Sequence, residues 1–214
     1  MPSPIPATLQ PILQYLIDHA TTAMRTILVG VDGGSGSGKS TFADWLKHGL
    51  IAAEIPVALV HTDDFFLPSA RRANSHFPLA EVADLEWIRL RDQVIYPLRL
   101  GNPAHYQVYN WETDSLQDWV TIYRGGVTIV EGVTATRSKL AIYYDLRIWF
   151  NCPRAVREER LRQRGDISAE EIEHWMPSEE AFFGTDSVDR RAHLVMDSAE
   201  EGYIMKKWSP PGEK

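Results

Sequence analysis

The amino-acid sequence predicts an α/β fold in which a mainly parallel sheet of five strands lies between two layers of helices. Three observations lead to this prediction. Short, continuous apolar runs recur along the 214 residues, as expected for strands that are buried on both faces. Segments with helical spacing separate several of these runs, which is the alternation typical of parallel sheets. A glycine-rich loop directly follows the first run and leads into a plausible helix.

The first helix is predicted to begin at Thr8, because apolar residues recur at helical spacing from there on. They are Leu9, Ile12, Leu13, Leu16 and Ile17. Residues 1–7 form a proline-rich arm without the basic run of a signal peptide. Five apolar runs then predict the strands. They cover residues 26–31, 57–60, 127–130, 146–150 and 193–196.

The connection between the second and third predicted strands is longer than a βα unit requires. Residues 67–125 are rich in aromatic side chains and are broken by prolines and glycines, and within them residues 84–98 have the spacing of one helix. We interpret this insertion as a lid that helps to bind a substrate. The alternative is an insertion that only packs on the core.

An arginine-rich helix is predicted after Pro153 and should end at Gly165. Ser168 and Glu171 have the spacing of a capping box for a further short helix, which Pro177 should stop. We interpret residues 153–175 as an arginine-rich lid and residues 208–212 as a disordered tail. The whole chain, residues 1–214, is predicted to form one domain.

Composition and charge exclude several classes of protein. Hydrophobic residues make up 44% of the chain and the formal charge is -7, so binding to nucleic acid or to an anionic membrane is not expected. Only one cysteine, Cys152, is present, so an intrachain disulfide is excluded. No apolar run approaches the roughly 18 residues of a membrane helix. We expect a cytoplasmic protein with a small-molecule partner, and the sequence leaves its oligomeric state open, a homo-oligomer included.

The glycine-rich loop matches the pattern G-x-x-x-x-G-K-[ST], and we call it the phosphate loop. It consists of Gly33, Gly34, Ser35, Gly36, Ser37, Gly38, Lys39, Ser40 and Thr41. Glycines let backbone N–H groups turn inward around an anion, and the following helix N-terminus also favours phosphate. Lys39 should reach the β- and γ-phosphates of ATP, and the Ser40 hydroxyl should bind Mg²⁺. The predicted fold is therefore the three-layer P-loop NTPase fold.

Other nucleotide-binding classes lack support in the sequence. The chain contains neither an Asn-Lys-x-Asp motif, which reads guanine, nor a Leu-Ser-Gly-Gly-Gln motif of transporter ATPases. Motor and ring ATPases usually need a longer chain. The small-molecule kinases remain, together with one rival from another class, an ATP-binding regulatory switch without a second substrate.

Acidic residues follow two of the predicted strands. Asp63 and Asp64 come after the second strand, and Glu131 ends the third. Ligands of open α/β sheets bind at these carboxyl ends. A carboxylate there can orient a substrate hydroxyl, take its proton or bind a metal ion. We expect Glu131 to act on Mg²⁺ directly or through water, and Asp63 to act in catalysis and to contact the metal.

Three arginines of the predicted lid helix share one face. Arg157, Arg160 and Arg164 are spaced i, i+3 and i+7. Their planar guanidinium groups suit phosphate oxygens as charge moves during transfer. The alternative is an exposed helix on which Glu158 and Glu159 pair with neighbouring arginines.

The ordered motifs from residue 26 to about 197 resemble those of the uridine kinase-like family of phosphate-loop kinases. They are GGSGSGKST, TDDFF, YNW, IVEGV and VREERLRQRGD. The resemblance implies ATP-dependent phosphorylation of a ribose-type hydroxyl, with Asp63 as the base, Tyr109 in contact with the substrate, and the three arginines in the lid. Asp84 matches the acid that the family has before its inserted helix. We expect the acceptor to lie between Asp63, the insertion around Tyr109 to Trp111, and the lid.

The chain departs from the family at two of these motifs. Asp114 stands where the family has a histidine that reads the nucleobase, and Phe66 stands where it has a tyrosine. We place Asp64 and Asp114 with the acceptor-binding residues. A nucleoside or related sugar is the predicted acceptor, while pantothenate, nicotinamide riboside and sugar phosphates stay open.

Overall fold

The computed structural model describes residues 9–72, 84–165, 167–199 and 202–211. The predicted N-terminal arm and residues 73–83 of the insertion lie outside the described residues. Eight strands are present in the described part of the chain. They are β1 (Ile27–Gly33), β2 (Val57–His61), β3 (Ala104–Asn110), β4 (Ser115–Ile122), β5 (Val127–Gly132), β6 (Leu146–Asn151), β7 (Leu194–Asp197) and β8 (Ile204–Trp208).

Helices connect most of these strands. The α-helices are α1 (Gln10–Thr22), α2 (Lys39–Ala52), α3 (Ser69–Arg72), α4 (Trp87–Leu90), α5 (Tyr96–Arg99), α6 (Ser138–Ala141), α7 (Arg154–Arg164), α8 (Ala169–Asp186) and α9 (Val188–Arg191). A 3₁₀ turn covers Thr62–Phe65, and a π-helical turn, Arg91–Ile95, joins α4 to α5. No helix in the described ranges is both long and apolar enough to cross a membrane.

The central sheet has six strands in the order β2-β5-β1-β6-β7-β8. The first five are parallel to one another and are the five that the apolar runs predict, so the predicted α/β class is confirmed. Strand β8 was not predicted and pairs antiparallel with β7 at the edge. Trp208, which was assigned above to a disordered tail, is the last residue of β8, so that prediction was wrong. A strand at the edge of a sheet does not need a continuous apolar run, and β8 therefore left no such signal in the sequence.

The sheet has a hydrophobic core on each face. All seven residues of β1 are buried, and their side chains alternate between the faces. Val29 and Val31 pack with α1 and α2 on one face, whereas Leu28 packs with the insertion on the other. Burial on both sides explains why the central strands are continuously apolar.

The insertion contains elements that the sequence pattern did not resolve. The helix predicted over residues 84–98 begins at Trp87 and contains the π-helical turn. Strands β3 and β4 then form an antiparallel hairpin with a register shift between Gln107 and Tyr109.

The helices after β6 agree with the sequence except at one proline. Gly165 ends α7 in the left-handed region, and the predicted capping box of Ser168 and Glu171 begins α8. Helix α8 continues through Pro177 to Asp186, so the predicted stop at Pro177 was wrong. Buried Met176 and Phe182 lie on either side of the proline, and their packing offsets the lost backbone hydrogen bond.

Candidate active site

A cleft of about 750 Å³ opens where β1 and β2 end. The phosphate loop forms one wall, and α7 and α8 form another. The insertion supplies Asp84, Leu85 and Trp111 to its lining. The carboxyl ends of parallel strands are the usual ligand-binding edge of such a sheet, so this cleft is the candidate active site.

The phosphate loop joins β1 to α2, and α2 begins at Lys39. Gly36 and Gly38 have φ angles of 79° and 89°, a region that is open to glycine at little steric cost. Six residues of the loop line the cleft. They are Ser35, Gly36, Gly38, Lys39, Ser40 and Thr41.

The other three loop residues pack against protein. A Cβ atom on Gly33 would lie 2.8 Å from the Phe150 Cβ, and one on Gly34 would lie 2.3 Å from the Arg157 Nη1. The buried Ser37 carbonyl accepts a hydrogen bond from the Ser198 hydroxyl at 2.7 Å. These contacts hold the back of the loop.

Ser40 and Glu131 meet at the edge of the cleft. The Ser40 hydroxyl donates to Glu131 Oε2 at 3.2 Å, and His61 Nδ1 lies 2.6 Å from the other carboxylate oxygen. This hydrogen bond raises the pKa of His61. Burial acts to raise the pKa of Glu131, but the contacts from His61 and Lys39 outweigh it and lower that pKa. His61 was not predicted as a site residue, although its place at the end of β2 was an available signal.

Asp63 lies on the 3₁₀ turn that follows β2 and lines the cleft. Its carboxylate is accessible from the cleft, yet the surrounding walls reduce its hydration and raise its pKa, while Lys39 acts in the opposite direction. A carboxylate with a raised pKa beside a phosphate loop is suited to accept a proton from a substrate hydroxyl.

Asp64 does not line the cleft. The Tyr106 hydroxyl donates to its Oδ2 at 3.3 Å, and its carbonyl oxygen accepts from Arg89 Nη2 at 2.9 Å. Burial raises the pKa of Asp64. These contacts tie the 3₁₀ turn to the insertion, and the predicted contact of Asp64 with the acceptor stays a prediction.

Tyr109 and Asp114 also lie outside the cleft lining. The Tyr109 hydroxyl donates to Asp114 Oδ1 at 2.7 Å, and the Ser69 backbone N–H donates to the same oxygen at 2.9 Å. The side-chain hydrogen bond from Ser69, followed by that from Tyr109, lowers the pKa of Asp114 to about 2. These contacts fasten the β3–β4 hairpin to α3. The predicted contacts of Tyr109 and Asp114 with the acceptor stay predictions.

The remaining predicted acceptor residues, Asp84 and Trp111, do line the cleft. The Trp111 ring centroid lies 4.5 Å from that of Phe66 and 6.3 Å from that of Trp175. The three rings give this part of the cleft an aromatic surface, which suits a flat or partly apolar group.

The lid arginines separate into two groups. Arg160 and Arg164 line the cleft, whereas Arg157 is not among the lining residues. The buried Arg157 pairs with Glu179 at 3.2 Å and also with Glu180. The structure therefore places two of the three predicted arginines at the cleft and the third beneath the phosphate loop.

Helix α8 supplies a wall of the cleft that the sequence analysis missed. Five of its residues face the cleft at helical spacing. They are Glu171, His174, Trp175, Ser178 and Glu179. The mistaken stop at Pro177 left only Ser178 and Glu179 outside the predicted helix, whereas Glu171, His174 and Trp175 lay within it and were not recognised as facing the cleft.

Asp32 was not predicted as a site residue either. It is fully buried in β1 and accepts hydrogen bonds from the backbone N–H groups of Gly33, Thr134 and Thr136 and from the Thr136 hydroxyl. Burial raises its pKa to about 6, against the effect of these hydrogen bonds. It joins the start of the phosphate loop to the loop after β5.

Comparison with known proteins gives sequence relatives and structural neighbours, while no family model matches the chain. Uridine-cytidine kinase-like 1 from Mus musculus is 28% identical over 161 residues, which are 71% of this chain and 28% of that protein. The chain thus spans less than a third of the length of this curated relative.

Two solved structures illustrate the likeness in fold. A structure described as a possible uridine kinase from Bacillus stearothermophilus has a TM-score of 0.66 and 22% identity, and the match covers 87% of this chain and 98% of that one. D-glycerate 3-kinase from Cryptococcus neoformans has a TM-score of 0.68 and 13% identity, with 94% and 100% covered. The predicted resemblance to uridine kinase-like proteins is confirmed, and the chain shares its mainly parallel α/β fold with these two structures.

Proposed function

We propose that this protein is an ATP-dependent small-molecule kinase that phosphorylates a hydroxyl group of a nucleoside or a related sugar compound. One observation carries the proposal. Asp63 on the 3₁₀ turn lines the same cleft as Lys39 and Ser40 at the start of α2. The Ser40 hydroxyl donates to Glu131 on β5. A kinase needs a base, a phosphate-binding cation and a metal site in such an arrangement.

The residues present fit a nucleotide with Mg²⁺. The phosphate loop and Lys39 would hold the phosphates, and the Ser40 hydroxyl and Glu131 carboxylate offer the oxygen ligands that Mg²⁺ prefers. No cluster of three His, Cys, Asp or Glu residues suited to a metal occurs in the described ranges, which agrees with an ion held largely by nucleotide phosphates and water. When bound, Mg²⁺ offsets charge on the phosphate oxygens.

The chain's own groups account for the remaining requirements. Asp63 orients the acceptor hydroxyl and takes its proton as the hydroxyl oxygen attacks the γ-phosphorus of ATP. The bond from that phosphorus to the bridging oxygen of the β-phosphate breaks, and ADP leaves. Lys39, Arg160 and Arg164 stabilise the charge on the transferring group from the loop and from α7. Phe66, Trp111 and Trp175 form the aromatic surface on which the acceptor's ring would lie.

The testing experiment measures ATP consumption with Mg²⁺ against a panel of acceptors. The panel contains uridine, cytidine, nicotinamide riboside, pantothenate, free sugars and sugar phosphates, with a reaction lacking acceptor as the control. We expect one nucleoside or sugar to raise turnover well above the control. Equal, slow hydrolysis with every acceptor would contradict the proposal and favour an ATP-binding switch.

Two substitutions then test the assigned roles. Lys39→Ala should abolish transfer. Asp63→Asn should lower kcat by about 10²–10⁴-fold, the usual contribution of a general base, with much less effect on ATP binding. Asp64→Asn is the matched control, since its side chain does not line the cleft, and a much smaller loss is expected. Near-normal turnover of Asp63→Asn would show that Asp63 is not the base.

A further inference from the structure

A buried ion pair lies directly against the phosphate loop. Arg157 on α7 and Glu179 on α8 are each 4% exposed, and the Arg157 Nη1 lies 3.2 Å from Glu179 Oε2. Both side chains also contact Ser35, the third residue of the loop. The pair therefore connects two lid helices to the backbone that would surround the nucleotide phosphates.

Glu179 accepts two hydrogen bonds from Ser35. The backbone N–H of Ser35 donates to Glu179 Oε2 at 3.0 Å, and the Ser35 hydroxyl donates to Oε1. Hydrogen bonds from N–H groups to a charged acceptor are among the stronger ones in proteins. The orientation of the Ser35 peptide is thus fixed from the side of α8.

Arg157 binds the carbonyl oxygen of the same residue, Ser35. Its Nη1 donates to the Ser35 carbonyl oxygen at 3.2 Å, and its Nε donates to the carbonyl of Cys152, directly after β6, at 3.3 Å. Gly34 makes room for the guanidinium group, since a Cβ atom there would lie 2.3 Å from Nη1. The N–H and the carbonyl of Ser35 are both bound by this pair.

We propose that Glu179 and Arg157 are positioning residues, a buried clamp that holds the backbone on both sides of Ser35, supports the loop residues that follow it, and fixes α8 to the loop. Glu179 belongs to the same face of α8 as His174, Trp175 and Ser178. The clamp therefore sets the position of the acceptor wall relative to the phosphates. Arg157 acts through Ser35 and not on the transferring phosphoryl group, unlike Arg160 and Arg164. This inference rests on the proposed function for its consequence in catalysis.

The first test is hydrogen–deuterium exchange in the protein without nucleotide. Glu179→Ala should speed the exchange of peptides covering residues 33–38 by about tenfold, while peptides from β1 and β5 keep their protection. Glu180→Ala is the matched control, because the side chain of Glu180 is 44% exposed and pairs with Arg157, whereas that of Glu179 is buried and also accepts hydrogen bonds from Ser35. Unchanged exchange at residues 33–38 in a folded Glu179→Ala protein would overturn the clamp.

The second test measures ATP binding by calorimetry without acceptor. Glu179→Ala should raise the Kd for ATP about tenfold. In the turnover assay with acceptor, the same variant should lower kcat about a hundredfold, as expected when reacting groups are misplaced by about an ångström. Glu179→Gln retains an oxygen that can accept from the Ser35 N–H and should restore most of the affinity. Glu180→Ala should stay within about twofold of the wild type. An ATP affinity of Glu179→Ala equal to that of the wild type would contradict the proposal.

Gly34→Ala keeps the test decisive if Glu179→Ala fails to fold. The added methyl group should displace the Arg157 guanidinium from Ser35 and reproduce the faster exchange and weaker ATP binding. A folded Gly34→Ala protein with normal exchange and affinity would overturn the clamp. The two proposals fail differently: a wild-type chain that binds no ATP contradicts the proposed function, whereas normal binding by both variants contradicts the clamp alone.

Discussion

Asp32 shows how one buried side chain supports the site. Its two carboxylate oxygens accept four hydrogen bonds, and each donor is a backbone N–H group or a hydroxyl. Burial raises its pKa to about 6. Burial therefore disfavours the ionised form of Asp32. Each of its two side-chain oxygens nevertheless has to accept two hydrogen bonds.

Asp32→Asn should destabilise the fold although it preserves side-chain volume. Its amide NH₂ would face N–H or O–H donors, and an unsatisfied buried donor costs about 1–3 kcal/mol. Urea denaturation measures the free energy of unfolding. The exposed Asp189→Asn should change this value by less than about 0.5 kcal/mol, and an equally small change for Asp32→Asn would contradict the argument.

The pH dependence of turnover should show the raised pKa of Asp63. A base must be ionised, so kcat is expected to fall as the pH drops through that pKa. Because reduced hydration is the largest influence on this group, the fall should begin at a higher pH than an ordinary aspartate would give. The measurement is kcat against pH with saturating substrates. A kcat that stays constant down to the ordinary range of aspartate would contradict this assignment.

Sequence and structure agree best at the residues beside strand ends. Lys39, Asp63 and Glu131 were predicted because a strand–loop–helix pattern determines where they emerge. The contact of Tyr109 and Asp114 with each other and with Ser69 was not predicted, because it depends on the register of a hairpin and on its packing against α3. Sequence spacing contains no information on such a contact between distant residues.

At the level of elements, α8 is the largest gap between prediction and structure. A proline usually ends a helix, yet packing on both sides of Pro177 carries α8 onward to Asp186. With the correct bounds, Ser178 and Glu179 would have fallen on the same helical face as His174 and Trp175. Tertiary packing, which a local pattern does not contain, decided the length of this helix.

Trp175→Ala tests whether α8 contacts the acceptor. Loss of the indole should raise the KM of the acceptor by about tenfold, since an aromatic contact is worth about 0.5–1.5 kcal/mol beyond its buried area. The Kd for ATP should remain unchanged. Glu173→Ala, on an exposed position of the same helix, provides the comparison. An unchanged acceptor KM in Trp175→Ala would remove α8 from the acceptor site.

For the whole molecule, the five parallel strands of the central sheet were predictable from the sequence, whereas the antiparallel edge strand β8 was not. Strands buried on both faces must be apolar throughout, so each left a continuous run in the sequence. Strand β8 pairs only with β7 and contains Lys206 and Lys207. Charged residues are common on edge strands because they oppose association with other chains.

Overall stability should fall in mild acid because of His193. Burial, and then the charges of Arg147 and Lys207, lower the pKa of this imidazole to about 4. Its neutral form stabilises the fold above the unfolded pKa of about 6.5, and this stability is lost as the pH falls towards 4. Because His193 is only half-buried, solvent screening reduces the effect to about 1–2 kcal/mol.

Unfolding free energies of wild type and His193→Gln, measured between pH 7 and pH 4, test this prediction. Glutamine cannot gain the proton, so the variant should lose less stability over this range. The exposed His48→Gln serves as the control and should follow the wild type. Equal slopes for wild type and His193→Gln would contradict a role for His193.

The pairing of β1 also determines when the phosphate loop can form during synthesis. Gly33 pairs with Phe150, and Ile27 pairs with Val127. Such long-range pairings form late, and an apolar strand without its partners is prone to aggregate. The ribosome thus completes the sequence of the phosphate loop well before β5 and β6, the strands that pair with β1, have been synthesised. Nucleotide binding must therefore await the emergence of β6.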